Sequence, residues 1–127
     1  MTKKKNRFLE DERLKSRKEI SRIFKNGIFL YSDFFSLGYT ICENNEKTHK
    51  FAVSVPKKLF KSAVTRNKLK RRIRESYRIK KHVLYEFSDN SHTFFNILLI
   101  YRHRDILSFS IIQNDVIFLL EKLTDKF

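Results

Sequence analysis

Positively charged residues crowd the segment TRNKLKRRIRE at residues 65–75, where six of eleven positions are Lys or Arg. In a helix, four cations spaced four residues apart would form a single row: Arg66, Lys70, Arg74 and Arg78. Like charges at this spacing repel by roughly 0.2–0.5 kcal/mol per pair, and only one acid, Glu75, lies nearby. Phosphate is the natural counter-charge, because Lys and Arg donate charge-assisted hydrogen bonds to its oxygens. The pattern therefore predicts a helix that binds a polyanion.

A solvated charged face or an anionic membrane surface could also account for a basic helix. A helix lying on a membrane needs a wide apolar face, whereas Leu69, Ile73 and Tyr77 would form a narrow buried stripe. No apolar run approaches the roughly 20 residues that span a bilayer. These observations favour nucleic acid over membrane, and by themselves they leave DNA and RNA undecided.

Groups that could catalyse hydrolysis are scattered. The four His residues have no metal-ligand spacing: His49, His82, His92 and His103. Asp105 and Asp115 are too isolated for a two-metal nuclease site, and a single Cys42 excludes an intrachain disulfide. We therefore expect no catalytic residue and no metal site in the protein itself.

Length and composition predict one globular domain over residues 1–127, because 41% of the residues are hydrophobic and only two are Gly. The charge is uneven. Residues 56–82 contain twelve Lys or Arg and one acid, whereas residues 83–127 contain four basic and six acidic residues. The start, MTKKKNRFLEDERLK, lacks the apolar stretch of a signal peptide. We expect a cytoplasmic protein in which residues 1–12 form a flexible basic tail.

The first half of the chain predicts a helix followed by strands. Ser16 and Glu19 have the spacing of a capping box, and Gly27 suits the residue after the helix end. Segments 34–41 and 51–55 alternate apolar and small or polar residues, which favours two strands, interpreted here as an antiparallel pair.

The second half predicts a long helix from Ser62 or Thr65 to about His82, and then a loop at SDNSH. The apolar run NILLIY is typical of a strand buried on both faces. A last helix is predicted from about Ser110 to Leu123, with five residues facing inward: Ile112, Val116, Leu119, Leu120 and Leu123. The fold class is α+β, a single-domain α/β sandwich with the order α-β-β(-β)-α-β-α.

The basic segment lies within a longer motif. The stretch FAVSVPKKLFKSAVTRNKLKRRIRESYR resembles the signature of the bacterial ribonuclease P protein subunit. In that family a strand ends in a Val-Ser-x-x-Lys-Lys-like run, and Arg-Asn-x-x-Lys-Arg-x-x-Arg follows on a helix. The matching residues are Ser54, Val55, Lys57, Lys58, Ala63, Val64, Arg66, Asn67, Lys70, Arg71, Ile73 and Arg74. RLKSRKEISRIFKNG is similar to the family's first helix and NILLIYRHR to its buried strand.

The resemblance implies both a fold and a function. The family packs helices on a sheet through a left-handed β-α-β crossover, although about 98% of such crossovers are right-handed. The family's protein binds a large catalytic RNA, and together they remove the 5′ leader from precursor tRNA. The RNA performs the reaction with Mg²⁺. We accordingly expect these two RNA partners, no binding to DNA or membrane, and Mg²⁺ held with the RNA subunit.

The resemblance also assigns residues to two RNA-binding regions. The helix motif that faces the catalytic RNA comprises Arg66, Asn67, Lys68, Lys70, Arg71 and Arg74. Additional phosphate contacts are expected from Lys57, Lys58, Lys61 and Arg78. Asn67 could instead cap the start of the helix through its side chain.

A cleft between the first helix and the sheet is implied to hold the leader, and it is expected to include Ile20, Phe24, Leu37, Tyr39 and Ser54. Tyr39 can stack on a base, a contact worth roughly 1–3 kcal/mol. The small residues Ala52 and Ser54 would leave room for RNA. The alternative is that Phe24 and Tyr39 are ordinary core residues, and without the resemblance this is the better interpretation for Phe24.

Two positions depart from the family pattern. Lys68 stands where the family usually has Arg, so the charge is kept but the bidentate fork is lost. Ile20 stands where the family often has Phe, so any base stacking there would be lost. Two other classes of function stay open from the residues alone, namely a general RNA-binding protein such as a ribosomal component and a self-sufficient nuclease.

Overall fold

The computed structural model describes residues 10–43 and 47–127, and within them the predicted α+β class is confirmed. The helices are α1 (Arg17–Asn26), α2 (Ala63–Lys80), α3 (His82–Ser91) and α4 (Phe109–Thr124). The strands are β1 (Ile28–Tyr31), β2 (Phe35–Ile41), β3 (Lys50–Ser54) and β4 (Phe95–Tyr101). A short 3-10 helix at Glu10–Glu12 precedes α1.

The four strands form one sheet in the order β1-β2-β4-β3. The predicted pairing of β2 with β3 is wrong, because β4 lies between them, antiparallel to β2 and parallel to β3. The sequence FNILLIY explains this, since a strand that is apolar on both sides is best placed at the centre of a sheet. The chain between β3 and β4, which includes α2 and α3, forms the expected β-α-β crossover; its left-handedness stays a prediction.

Helices cover the sheet unequally. The main core lies between the sheet and α2, α3 and α4, and includes Leu69, Ile73 and Tyr77, the predicted stripe of α2, each with no exposed surface. All five inward residues predicted for the last helix are buried there too. A smaller cluster lies on the opposite face under α1, built on Ile23 and Leu98. The face below α1 is therefore the only one that a single helix covers among the described residues.

The predicted start and end of α1 are confirmed. The Ser16 hydroxyl accepts a hydrogen bond from the Glu19 backbone N–H at 3.2 Å, and Gly27 follows the last helical residue. The reason for Gly at this position is close packing, not a left-handed backbone. Its φ is −72°, and a Cβ atom would lie 2.4 Å from the Ile23 carbonyl oxygen and 3.0 Å from that of Tyr39.

Helix α3 is a feature that the sequence interpretation missed, since SDNSH was expected to be a loop. Residues 88–91 are helical, and the helix ends at His92, whose φ of 55° is left-handed. The Ser88 hydroxyl lies within hydrogen-bond distance of two carbonyl oxygens, that of Leu84 at 3.0 Å and that of Thr93 at 2.7 Å. Ser88 is thereby buried without an unsatisfied hydroxyl.

The flexible tail was predicted to comprise residues 1–12, but its last residue, Glu12, belongs to the folded domain. Glu12 is buried, and its carboxylate accepts a hydrogen bond from the buried Lys81 ammonium at 2.6 Å. Residues 1–9 lie outside the described part of the chain. The ordered domain therefore begins at the latest with Glu10–Glu12.

A buried histidine links β4 to α3. The Nδ1 atom of His49 accepts a hydrogen bond from the Phe95 backbone N–H at 3.0 Å, and its Nε2 atom lies 2.8 Å from the Ser88 hydroxyl oxygen. Since Nδ1 is an acceptor, the ring is neutral and Nε2 carries the proton. Burial lowers the pKa of His49 to about 4.

Because of this lowered pKa, we expect the free energy of unfolding to fall by up to about 3 kcal/mol as the pH drops from neutrality toward about 4. Between its unfolded pKa of 6.5 and its folded pKa of about 4, His49 binds a proton only in the unfolded chain. Urea unfolding across this range measures the effect. The matched variant His49→Gln should lose this part of the pH dependence.

Asp115 works in the opposite direction, because burial raises the pKa of its carboxyl group and the folded chain keeps that proton longer. The contribution of Asp115 is the same in the natural chain and in His49→Gln, so it cancels when their pH profiles are compared. Indistinguishable pH profiles for the natural chain and His49→Gln would contradict the assignment of a neutral, buried His49.

Candidate nucleic-acid interface

The basic helix starts one turn before the charged motif. The Ser62 hydroxyl caps α2 by accepting a hydrogen bond from the Thr65 backbone N–H at 3.3 Å. Asn67 is an exposed residue of the second turn, so the alternative that it caps the helix is wrong. The Asn67 side chain is instead on the surface beside the cations.

One side of α2 carries most of the predicted motif. Asn67, Arg71, Arg74 and Arg78 follow one another at intervals of four, three and four residues, so they share that side, and Lys70 lies at its edge. We call these five residues the α2 basic face. The helix is anchored by the fully buried Leu69, Ile73 and Tyr77 on its other side. The fold therefore presents this face as a rigid, positively charged surface.

Lys68 does not belong to this face. It lies on a different row, four residues before Arg72. The Arg72 Nη1 atom donates to the Leu107 carbonyl oxygen at 2.6 Å, which places that row beside the loop leading to α4. Lys68 is exposed and lies three residues before Arg71, so it borders the α2 basic face on the side of Arg72. Its phosphate contact stays a prediction.

Arg66 organises the loop before α2. Its Nη1 atom donates to the carbonyl oxygens of Phe60 and Lys61 at 2.8 and 2.9 Å. One guanidinium nitrogen of Arg66 is thereby engaged within the protein. The loop that Arg66 holds carries three exposed cations: Lys57, Lys58 and Lys61. Lys58 lines a shallow cavity of about 530 Å³ together with Leu59 and Arg104.

Two cations of the α2 basic face have charged neighbours. The Arg78 Nε atom donates to the Glu75 carboxylate at 3.0 Å, and this contact raises the pKa of Arg78. Glu75 therefore competes with phosphate for Arg78. Arg74 differs, because burial and, second, the nearby charge of Arg13 lower its pKa.

Arg13 is the basic residue that the sequence interpretation missed. It forms a parallel bridge with Phe51 at the edge of the sheet, which brings it next to α2. The available signal was the Arg-Leu pair that opens the segment similar to the family's first helix. The contact itself depends on tertiary structure, so residue spacing could not reveal it.

The residues predicted for the leader cleft lie on two different faces of the sheet. Ile20 and Phe24 belong to α1, and Ser54 lies on the same face as Ala52, which packs against the α1 cluster. Leu37 and Tyr39 are buried in the main core on the opposite face. The structure therefore does not bring these two residues to the cleft.

Tyr39 is a core residue in this fold. It is 3% exposed, and its ring packs edge-on against Phe95 and Phe127 at centroid distances of 5.5 and 6.4 Å. The expectation that it stacks on an RNA base is corrected accordingly. Phe24, by contrast, is 58% exposed, and its ring lies tilted against that of Phe29 with the centroids 6.3 Å apart.

Small residues line part of the cleft between α1 and the sheet. Ser36, Ile100 and Ser54 form one row across β2, β4 and β3, and Gly38, Leu98 and Ala52 form the next. Ala52, Ser54 and Ile100 are half-buried, so part of this cleft is accessible. We call Ile20, Phe24, Ala52, Ser54 and Ile100 the α1-side cleft.

Among residues 10–43 and 47–127, no group of three or more His, Cys, Asp or Glu side chains is placed to hold a metal ion. In the same part of the chain, none of the helices is both long enough and apolar enough to cross a bilayer.

Fold and surface together define a small, basic α+β protein with a cationic helix beside the edge strand of a four-stranded sheet. The family model described as Ribonuclease P matches residues 8–124. The chain belongs to the ribonuclease P protein family.

Individual relatives agree with this assignment. The ribonuclease P protein component of Porphyromonas gingivalis is 38% identical over 79 residues, which cover 59% of this chain and 56% of that protein. The chain thus spans little more than half the length of the curated relatives that it matches first. The solved RNase P protein of Staphylococcus aureus superimposes with a TM-score of 0.65 at 29% identity, covering 88% of this chain and 94% of that one.

The RNase P protein from Thermotoga maritima superimposes with a TM-score of 0.66 at 25% identity, covering 87% of this chain and 96% of that one. The arrangement of four helices and a four-stranded sheet described above is therefore the arrangement of this family.

Proposed function

We propose that this protein is the RNA-binding subunit of ribonuclease P. It binds the catalytic RNA through the α2 basic face and the 5′ leader of precursor tRNA in the α1-side cleft. It thereby assists the endonucleolytic step that removes the leader and leaves the mature 5′ end of the tRNA. The observation that carries this proposal is the row of cations on α2, held rigid by three fully buried residues on the other side of the helix.

Electrostatics is the protein's contribution to this reaction. Each cation that neutralises a phosphate releases condensed counterions and favours binding, most strongly at low salt. Two RNA molecules repel each other, and a protein that offers cations to one and a cleft to the other lowers the free energy of bringing them together. The exposed Phe24 can stack on a leader base in a manner that tolerates any sequence.

Magnesium belongs to the proposal as an ion bound with the RNA. The only acid of α2, Glu75, is engaged by Arg78, so the α2 basic face offers cations and does not fit a Mg²⁺ site. The protein residues bind and orient RNA, and no step is assigned to a protein-bound metal. A cytoplasmic location and the absence of DNA or membrane partners are parts of the same proposal.

Reconstitution of cleavage tests the proposed function. The purified protein should not cut precursor tRNA alone, and it should stimulate cleavage by the catalytic RNA of its own organism at near-physiological salt. Failure to stimulate that RNA, with co-purification on ribosomes instead, would favour a general RNA-binding protein. Cleavage by the isolated protein, abolished by changing an acid or a His, would instead establish a self-sufficient nuclease.

Phe24→Ala should weaken binding of leader-bearing precursor by about 1–3 kcal/mol, because one stacking contact is lost. Binding of mature tRNA, which has no leader, should stay unchanged. Titration of the reconstituted complex with the two substrates measures the difference. Ile111→Ala is a matched control, since Ile111 is also an exposed apolar residue but lies on α4, across the sheet from α1. Equal losses for both substrates would place Phe24 outside the path of the leader.

A further inference from the structure

We propose that Arg13 is a further RNA-contacting residue, and that a buried clip of Glu12, Lys81 and Tyr85 positions it beside Arg74. The inference rests on the proposed function, which it deepens by adding a second chain segment to the α2 basic face. We call residues 10–14 the strap. It lies outside the family-like motif of residues 51–78.

The strap continues the sheet beyond its edge strand. Arg13 pairs with Phe51 of β3 in parallel register, and the Leu14 backbone N–H donates to the Phe51 carbonyl at 3.0 Å. The Lys50 ammonium donates to the Asp11 carbonyl at 3.0 Å. These contacts fix the backbone of the strap on both sides of Arg13.

The side chain of Arg13 is directed toward α2. Successive residues of an extended segment point to opposite faces, and Leu14 is buried in the cluster under α1. Arg13 therefore shares the face of Phe51, whose ring stacks on that of Tyr77 with centroids 3.9 Å apart. Tyr77 lies one helical turn after Arg74. The influence of the Arg13 charge on the pKa of Arg74 is consistent with this proximity.

The clip ties the strap to the helix that carries the cations. One carboxylate oxygen of Glu12 accepts from the Lys81 ammonium at 2.6 Å, and the other accepts from the Tyr85 hydroxyl at 2.6 Å. The side chains of Glu12 and Lys81 are each 2% exposed. Lys81 is the residue that ends α2, so the clip closes directly on the basic helix.

The buried Glu12–Lys81 ion pair holds Arg13 in place for RNA binding. A buried ion pair is weak as a source of stability, and its best-attested use is to specify one arrangement of parts. Here it holds two arginines from distant parts of the sequence near each other in spite of their repulsion. A phosphate between Arg13 and Arg74 would relieve that repulsion and accept hydrogen bonds from both.

Filter binding to a transcript of the catalytic RNA from the same organism, at several salt concentrations, tests the inference. Arg13→Ala should lower affinity on the order of tenfold and reduce the salt slope by about one, and Arg13→Lys should restore the slope. Lys122→Ala is the matched control, because Lys122 reaches the Tyr31 carbonyl at the opposite edge of the sheet. It should leave affinity nearly unchanged.

The double variant Glu12→Gln/Lys81→Met tests the clip without changing the net charge or leaving a buried charge unpaired. It should lose about as much affinity as Arg13→Ala, with a cooperative thermal transition that reports an intact fold. Adding Arg13→Ala to it should then cost little more. Should the double variant not fold, Arg13→Ala against Lys122→Ala still decides whether Arg13 meets RNA.

The possible results are distinguishable. If Arg13→Ala behaves like Lys122→Ala, the RNA contact is overturned. If Arg13→Ala has its full effect in the clip-free background, the positioning role is overturned. If the natural chain shows no salt-dependent binding and Arg71→Ala changes nothing, the proposed function itself has failed.

Discussion

Replacing Arg71 and Arg74 together by Ala should lower the affinity for the catalytic RNA by about two orders of magnitude at near-physiological salt. Each arginine is expected to donate charge-assisted hydrogen bonds to phosphate, so two contacts are lost. The slope of log affinity against log salt should become shallower by about two, and by about one for Arg71→Ala alone. Filter binding across a salt series measures both quantities.

The control removes the same charge elsewhere. Lys122 lies in the last turn of α4 and Lys126 lies two residues beyond the end of that helix, and replacing both by Ala changes the net charge by the same amount. That variant should keep nearly all of its affinity, because only general electrostatic attraction is reduced. Equal losses for the two double variants would mean that the protein attracts RNA by net charge alone and that the α2 basic face has no special role.

Glu12→Gln should destabilise the protein by about 3–5 kcal/mol, because it leaves the ammonium of Lys81 buried without a charged partner. Lys81 is 2% exposed and cannot reach water without opening the junction between α2 and α3. Urea denaturation at neutral pH measures the free energy of unfolding. This loss is comparable with the whole stability of many small domains.

The double variant Glu12→Gln/Lys81→Met is again the informative control. Since it removes both charges, most of the lost stability should return. A Glu12→Gln protein within about 0.5 kcal/mol of the natural chain would contradict the buried pair, because it would mean that Lys81 finds solvent at little cost.

Helical periodicity was the most reliable predictor of secondary structure in this sequence. Leu69, Ile73 and Tyr77 recur every four residues, and a helix can bury that stripe in only one way. Strand pairing was less predictable, because β4 comes late in the chain yet lies between β2 and β3. Alternation identifies the two faces of a strand but does not say which face a given helix covers.

In the candidate site, too, some residues were predictable from local sequence and others depended on tertiary packing. The cations of α2 were visible from composition and spacing, because charge clustering is a local property. Tyr39 and Leu37 were assigned to the cleft although both faces of β2 are largely buried, and only the packing of α1 on Gly38 reveals which face borders the cleft. The nearness of Arg13 to Arg74 could not be predicted from spacing, since it depends on the pairing of the strap with β3.

The salt dependence of binding between the full chain and the catalytic RNA tests the central claim most directly. With about five cations meeting phosphates, the slope of log affinity against log salt should be about −4, at roughly −0.7 to −0.9 per contact. Affinity should then fall by more than a hundredfold between about 50 and 200 mM salt. An affinity that hardly changes over this range would contradict the account, because it would mean that the α2 cations do not pair with RNA phosphates.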